Sequence, residues 1–246
     1  GSVPAFVSLM NKRAEELSLK NTSFMTPSGL DGEKHYSTAY DMAMLARAAL
    51  KNPDFAAVCG KTSIAAEYGN PPYRRWLSNH NRLLKTLDGA TGVKTGFTKK
   101  AGRCLVSSAE RDGVSLICAT LSCPDDWEYH TRLYNDYFAM LKAVPLEHRI
   151  PACTVPVTGG TANSVALYTN PVSAALFAEE EENIRVVLST EPFLFAPVER
   201  DTVVGWAYFY LDGVLLAKTP LLTKNSIEIK QYEKSFWQKI KDKFDF

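Results

Sequence analysis

The sequence has no apolar run that approaches the about 20 residues needed to cross a bilayer as a helix. It has no surplus of either charge: 28 Lys and Arg stand against 27 Asp and Glu, a formal net charge of +1. Such a balance gives no global field to draw nucleic acid, and no base-reading module is present. The five cysteines (Cys59, Cys104, Cys118, Cys123 and Cys153) are odd in number, and no pair has Cys-x-x-Cys spacing. That argues against a zinc site and a complete disulfide framework, and it favours thiols packed as small hydrophobes. There is no internal repeat, no initiator Met and no basic-then-apolar leader at Gly1, so the chain reads as processed or as a fragment. What is present, 46% hydrophobic and 22% charged residues over 246 positions, is ordinary globular composition. Disordered, collagen-like and low-complexity classes are excluded, and the length suits one large domain or two smaller ones.

The first segment predicts a helix capped by Ser2, with Pro4 tolerated in its first turn and Phe6, Leu9, Met10, Ala14 and Leu17 at helical spacing. The run Thr26-Pro27-Ser28-Gly29-Leu30-Asp31-Gly32 predicts a chain reversal. A second helix opens at Thr38 with Asp41 as an acidic capping partner, buries Met42, Leu45, Ala46, Ala49 and Leu50, and stops at Asn52-Pro53. A long polar loop with Pro71-Pro72 leads to Asn79-His80-Asn81. Strands are predicted at 93–98, 104–109 and 114–121, the last two joined by a hairpin at Asp112-Gly113. A helix follows over 127–141, with Leu133, Tyr134, Tyr137, Phe138 and Leu141 on its apolar face. Beyond Pro145 the pattern changes to short strands at 153–157, 164–168, 184–188, 203–210, 214–217 and 227–229, which read as a small all-β domain. The acidic run 179–182 reads as a solvated loop. The tail from Lys234 to Phe246 reads as an amphipathic helix, with Trp237, Ile240 and Phe244 on one face and lysines on the rest. It either lies in an anionic membrane surface or packs on its own domain.

The sharpest local signal is Gly92-Val93-Lys94-Thr95-Gly96-Phe97-Thr98. Lys94 offers a point positive charge to a carboxylate, and Thr95 adds a hydroxyl beside it. Gly96 lets an extended ligand approach the strand edge, and the Phe97 backbone N–H can serve a developing oxyanion. Lys-Thr-Gly together with Ser-x-x-Lys and a Ser-x-Asn type element marks serine β-lactamases and penicillin-binding proteins. Residues 5–50, 79–121, 123–138 and 201–221, which run AFVSLMNKRAEELSLKNTSFMTPSGLDGEK… through NHNRLLKTLDGATGVKTGFTKKAGRC… to DTVVGWAYFYLDGVLLAKTPL, carry the wider pattern. In order and over nearly the whole chain, this sequence closely resembles the low-molecular-mass penicillin-binding proteins, the serine D-alanyl-D-alanine carboxypeptidases of the DacB/DacF type.

The resemblance implies an α+β chain. Residues 1–145 are expected to form the C-terminal part of a β-lactamase/transpeptidase-like domain, an antiparallel sheet flanked by helices to which this chain supplies three strands. Residues 146–231 would be the small β domain, and 232–246 a membrane-surface tail. It also implies a hydrolase that removes the terminal D-alanine from peptidoglycan stem peptides through an acyl-enzyme, on the outer face of the cytoplasmic membrane. β-Lactam antibiotics would act as inhibitors, and no metal or organic cofactor is implied. On that resemblance, Lys94, Thr95 and Gly96 match the family's carboxylate clamp, and Phe97 would supply one oxyanion-hole amide.

Two family motifs, the nucleophile Ser-x-x-Lys and the Ser-x-Asn element, belong ahead of the first helix and are not found where the family needs them. Thr91-Gly92-Val93-Lys94 overlaps the clamp, and Thr161-Ala162-Asn163 falls in the β domain, so neither replaces them. The chain therefore reads as the C-terminal part of a longer enzyme, inactive and marginally stable alone. Phe97 stands where several members have His, and His80 where some have Arg. His80 could assist carboxylate binding only when protonated, and otherwise reads as a loop residue. His35 reads as a packing or turn residue. The readings left open are a non-catalytic wall-binding or scaffold homologue and a DD-endopeptidase on the same scaffold.

Overall fold

The computed structural model describes residues 1–231. The predicted amphipathic tail lies outside the described residues. The chain forms two compact units, Gly1–Lys142 and Ala143 onward.

In the first unit, α1 (Val3–Glu16) begins as its sequence requires: the Ser2 hydroxyl accepts from the Ala5 N–H at 3.3 Å, and Pro4 occupies the first turn. Only Ala14 of the helix's apolar positions is buried, while Phe6 and Leu9 stay exposed. Asn11 grips the next segment from both sides, donating to the Phe24 carbonyl and accepting from the Phe24 N–H, each at 2.8 Å. The expected reversal is closed by an antiparallel bridge between Ser23 and Tyr36. Helix α2 (Ala39–Ala49) is capped by the Thr38 hydroxyl. Asp41 departs from its expected capping role. Its buried carboxylate accepts from the Asn21 N–H at 2.9 Å and the Thr22 hydroxyl at 2.7 Å.

The predicted long polar loop is instead structured. Asn52-Pro53 ends one helix and starts another, α3 (Pro53–Cys59), because the Asn52 side chain accepts from the N–H groups of Asp54 and Phe55, and Pro53 needs no N–H partner at that position. A separate ribbon follows, β1 (Ser63–Tyr68) paired antiparallel with β2 (Tyr73–Ser78). After the short α4 (Leu83–Thr86), strands β3 (Ala90–Thr98), β4 (Gly102–Arg111) and β5 (Val114–Thr120) form a three-stranded antiparallel sheet in sequence order. The β4–β5 turn has positive φ at both Asp112 (49°) and Gly113 (78°), the geometry that Asp-Gly supplies at low cost.

Helix α5 (Asp126–Met140) and α4 cover one face of this sheet through Leu83, Leu87, Leu105, Ala109 and Tyr134. Helices α2 and α3 cover the other through Ala46, Cys59, Val93 and Val106. On α5, Tyr134 and Phe138 pack as expected, whereas Tyr137 is exposed and Asp126 and His130 are buried. All five cysteines are unpaired thiols.

The second unit is β-rich. β6 (Leu141–Pro145) pairs with β9 (Ser173–Phe177), and a six-stranded sheet has the order β10-β12-β13-β8-β7-β11. These strands are β7 (Thr154–Thr158), β8 (Ser164–Tyr168), β10 (Arg185–Thr190), β11 (Leu194–Phe195), β12 (Val203–Leu211) and β13 (Val214–Thr223). One core gathers Val155, Val157, Val165, Val198, Val204 and Ile227, and another gathers Leu146, Ala207, Phe209 and Leu221. Gly205 is required by a close approach, since a Cβ there would meet the Ser189 carbonyl oxygen at 2.3 Å. β13 extends beyond the expected end at Ala217 and passes through Pro220, which is tolerated because β8 joins β13 only at Leu222 and Thr223. Ile227 and Ile229 make isolated bridges rather than a strand. The acidic run is a 3-10 turn, Ala178–Asn183, rather than a plain loop. Glu180 accepts from the Phe177 N–H at 2.9 Å, and Glu181 pairs with Arg149 at 3.2 Å.

Candidate functional site

Lys94, Thr95, Gly96 and Phe97 lie consecutively on β3, opposite Val106, Leu105, Cys104 and Arg103 of β4. β3 is an edge strand, and among the described residues no strand pairs with its other side. The backbone groups of every second residue point away from β4 and therefore face an added strand. Lys94, Gly96 and Phe97 are exposed and Thr95 is half-buried. The Lys94 ammonium donates to the Thr95 carbonyl, so the cation folds back on its own strand and must swing outward to meet an anion.

Two glycines of the motif serve different ends. At Gly92 a Cβ would press on the Cys59 sulfur at 2.8 Å, so packing inside the unit excludes a side chain there. At Gly96 a Cβ would meet nothing nearer than the Cys104 Cβ at 3.7 Å, an ordinary contact. Among the described residues nothing demands glycine at position 96, which lies on the open edge of β3.

The strand is tied at both ends. Buried Asn81 donates to the Gly92 carbonyl at 2.9 Å and accepts from the Leu83 N–H at 3.1 Å. Asn79 accepts from the Asn81 N–H at 2.9 Å and donates to the carbonyls of Cys59 and Lys61 at 3.1 and 3.0 Å. At the far end, the Thr98 hydroxyl donates to Asp31 at 2.9 Å and accepts from the Ala101 N–H at 2.9 Å. His80 stands exposed between the two asparagines that carry this network. His35 accepts from the Met25 N–H at 3.0 Å and packs edge-on against Phe24, a turn residue in its bonding.

Beneath the sheet, Ser107 Oγ lies 2.7 Å from His130 Nδ1 and 2.8 Å from the Tyr134 hydroxyl, while His130 Nε2 lies 2.9 Å from Thr120 Oγ1. Serine, histidine and tyrosine within reach of one another have the makings of a nucleophilic site. These three are fully enclosed, however, and no substrate reaches them. Burial holds the His130 pKa down at about 4, against a smaller opposing pull from Asp126, and it pushes the Tyr134 phenol up. Burial likewise pushes the Cys118 thiol up to about 11, so it is not a thiolate at neutral pH. The network is a satisfied polar core that seats α5 against β4. Among the described residues no group of three or more His, Cys, Asp or Glu side chains is placed to hold a metal ion.

Sequence reasoning singled out the clamp residues and His80 but gave no role to Asn81, Asp31 or His130. The Asn79-x-Asn81 spacing was the one available signal for the first of these, because side-chain amides close together and near a strand start commonly bond the backbone. No local pattern marks Asp31 or His130.

Residues 1–124 match the profile of the D-alanyl-D-alanine carboxypeptidase family, and residues 151–229 match the C-terminal domain of penicillin-binding protein 5. The D-alanyl-D-alanine carboxypeptidase DacF of Bacillus subtilis is 33% identical over 236 residues, which is 93% of this chain and 60% of that protein. DacC of Escherichia coli is 30% identical over 99% of this chain and 62% of its own length. The chain thus spans about three fifths of these relatives. Among solved structures, penicillin-binding protein 5 of Haemophilus influenzae aligns with a TM-score of 0.62 at 27% identity, covering 93% of this chain and 67% of that one. A peptidoglycan synthesis regulatory factor of Streptococcus pneumoniae, PBP3, shares the fold at a TM-score of 0.73 and 19% identity over 93% of this chain and 71% of that one. With its edge-strand Lys94-Thr95-Gly96 and a family match running from residue 1 to residue 124, the chain belongs to the D-alanyl-D-alanine carboxypeptidase family, peptidase S11.

Proposed function

We propose that this chain carries the substrate clamp of a serine-type D-Ala-D-Ala carboxypeptidase that trims peptidoglycan stem peptides outside the cytoplasm. The observation that supports it best is the exposed Lys94-Thr95-Gly96 run on the free edge of β3, with a glycine at 96 that the chain's own packing does not require. The stem peptide would add as a strand beside β3. Lys94 and Thr95 would hold its terminal carboxylate, Gly96 would allow the close approach, and the Phe97 N–H would receive the oxyanion.

A serine hydroxyl attacks the penultimate carbonyl, the bond to the last residue breaks, and D-alanine leaves with the transferred proton. Water then cleaves the ester and frees the shortened peptide. On the family pattern, that serine and its lysine partner come from a Ser-x-x-Lys motif that precedes the segment matching α1, so the activity is that of the full protein. A β-lactam would enter on the same carboxylate grip and remain as the acyl-enzyme. Residues 1–145 would contribute to the catalytic domain and 146–231 would be the β domain. The aromatic and basic tail, 232–246, would rest on the outer membrane surface. His80, exposed beside the network, would be at most a minor contact.

The test is acylation of the full protein by a fluorescent penicillin. Charge-assisted hydrogen bonds of this kind contribute about 1.5–3 kcal/mol, so Lys94→Ala is expected to slow acylation about tenfold or more. An unchanged rate would remove the clamp assignment. No labelling of the unsubstituted full protein would favour the non-catalytic wall-binding reading.

A further inference from the structure

The β1–β2 ribbon leaves unburied what most folds bury. All six residues of β2 are exposed, and Trp76, Tyr73 and Tyr68 are 67%, 54% and 41% exposed. The register, Ala65 opposite Trp76 and Tyr68 opposite Tyr73, divides these rings between the two faces. One face carries Trp76 with the Arg74 guanidinium 5.0 Å from its ring centre. The other carries the Tyr68–Tyr73 pair, with ring centres 4.6 Å apart, and Arg75, which donates to the Tyr68 hydroxyl at 3.3 Å. Each face thus presents an aromatic surface beside an arginine, and on the Trp76 face Glu67 stands directly across from Arg74.

That combination suits a polymer of sugar rings bearing carboxylates. Aromatic faces stack on the apolar C–H faces of sugars, and guanidinium groups pair with carboxylates in planar geometry. It suits a membrane poorly. The tip, Gly69-Asn70-Pro71-Pro72, offers an acyl layer only two prolines, and the aromatic rings lie along the strands instead.

The ribbon's base stands next to the clamp. The Asn79 N–H donates to the Thr62 carbonyl at 2.8 Å to close it, and Asn79 and Asn81 lead to Gly92, two residues before Lys94. Six-residue strands at about 3.4 Å per residue reach about 20 Å from that base. An extended stem peptide of about five residues spans about 17 Å from its terminal carboxylate to the sugar that bears it. The two lengths are comparable.

We propose that the β1–β2 hairpin is a two-faced glycan platform, on which Trp76 on one face and Tyr73 on the other stack against the amino-sugar rings of the wall polymer, while Arg74 and Arg75 meet the lactyl carboxylates of its peptide-free sugars. The identity of the polymer rests on the function proposed above. The experiment titrates the full protein with glycan strands stripped of their peptides, whose muramic residues carry free lactyl carboxylates, and separately with a short N-acylated peptide ending in D-Ala-D-Ala.

Glycan binding is expected to weaken about tenfold or more in the Trp76→Ala, Tyr73→Ala pair and in the Arg74→Gln, Arg75→Gln pair, to survive in Trp76→Phe, and to be unmoved by Lys94→Ala. All four positions are exposed, so the variants keep their fold, which matched melting curves will show. Absent glycan binding, or binding unchanged in both pairs, overturns the platform. Peptide binding indifferent to Lys94→Ala overturns the clamp instead and leaves the glycan result standing. Trp76-dependent sedimentation with anionic phospholipid vesicles in place of glycan binding assigns the ribbon to a membrane and also overturns the platform.

Discussion

His130 carries a measurable consequence of its burial. A neutral imidazole sits fully buried between Ser107 and Thr120, where a charge would lose its solvation, and its pKa falls to about 4 from 6.5. Protonation therefore favours the unfolded chain, where the group titrates normally. The stabilisation is fully present above about pH 6.5 and is lost as the pH falls toward 4. The difference is worth about 3 kcal/mol at most. Urea midpoints measured from pH 7 to pH 4 should fall more steeply for the unsubstituted protein than for His130→Gln, and parallel curves would show that this titration contributes nothing. Nothing in the sequence marks His130, because its partners come from two strands 10 and 23 residues away. Lys94, Thr95 and Gly96 were legible for the opposite reason: they are contiguous, and their chemistry is visible without a tertiary partner. Asn81 falls between. Its amide matters only because the fold brings the Gly92 carbonyl within 2.9 Å.

At the level of elements, α2 shows how a correct local signal can hide a larger tertiary one. Thr38 caps the helix as its residue type predicts, and losing a hydroxyl cap costs about 1 kcal/mol. Asp41 has the spacing of a capping partner, but its carboxylate turns to Asn21 and Thr22 and fastens the segment after α1 to the start of α2. Removing it strands a backbone N–H beside a charge-free cavity, a loss of about 2–3 kcal/mol. Thermal or urea unfolding of Asp41→Ala and Thr38→Ala should therefore rank the first as clearly worse. Equal losses would return Asp41 to a purely helical role. The β4–β5 hairpin was readable because Asp112-Gly113 sets its own geometry. The β1–β2 ribbon was not, because its strands lack the alternation of buried and exposed residues that betrays a sheet: β2 is exposed throughout. α3 was missed because Asn52-Pro53 reads as a stop, while the same pair also begins a helix.

Across the whole molecule, the near-cancellation of charge and the placement of apolar side chains act together. A net charge of +1 gives little mutual repulsion between copies at neutral pH. On α1, Val3, Phe6 and Leu9 recur three residues apart and are 60%, 55% and 61% exposed, which lines them along one side of the helix. The periodicity showed that α1 is amphipathic, and only the tertiary structure shows that this half of its stripe is uncovered among the described residues. An apolar stripe on a weakly charged chain drives association that salt does not screen, because it rests on removing surface from water rather than on charge. Sedimentation velocity of the 246-residue chain over about a tenfold concentration range should show self-association at pH 7 that persists in high salt. The Phe6→Ser, Leu9→Ser pair, placed on exposed positions of a helix anchored through Ala14 and Asn11, should restore a monomer with the fold intact. If the pair sediments like the unsubstituted chain, the stripe on α1 is not what brings copies together. Dissociation by salt alone would put charge, not apolar surface, at the contact.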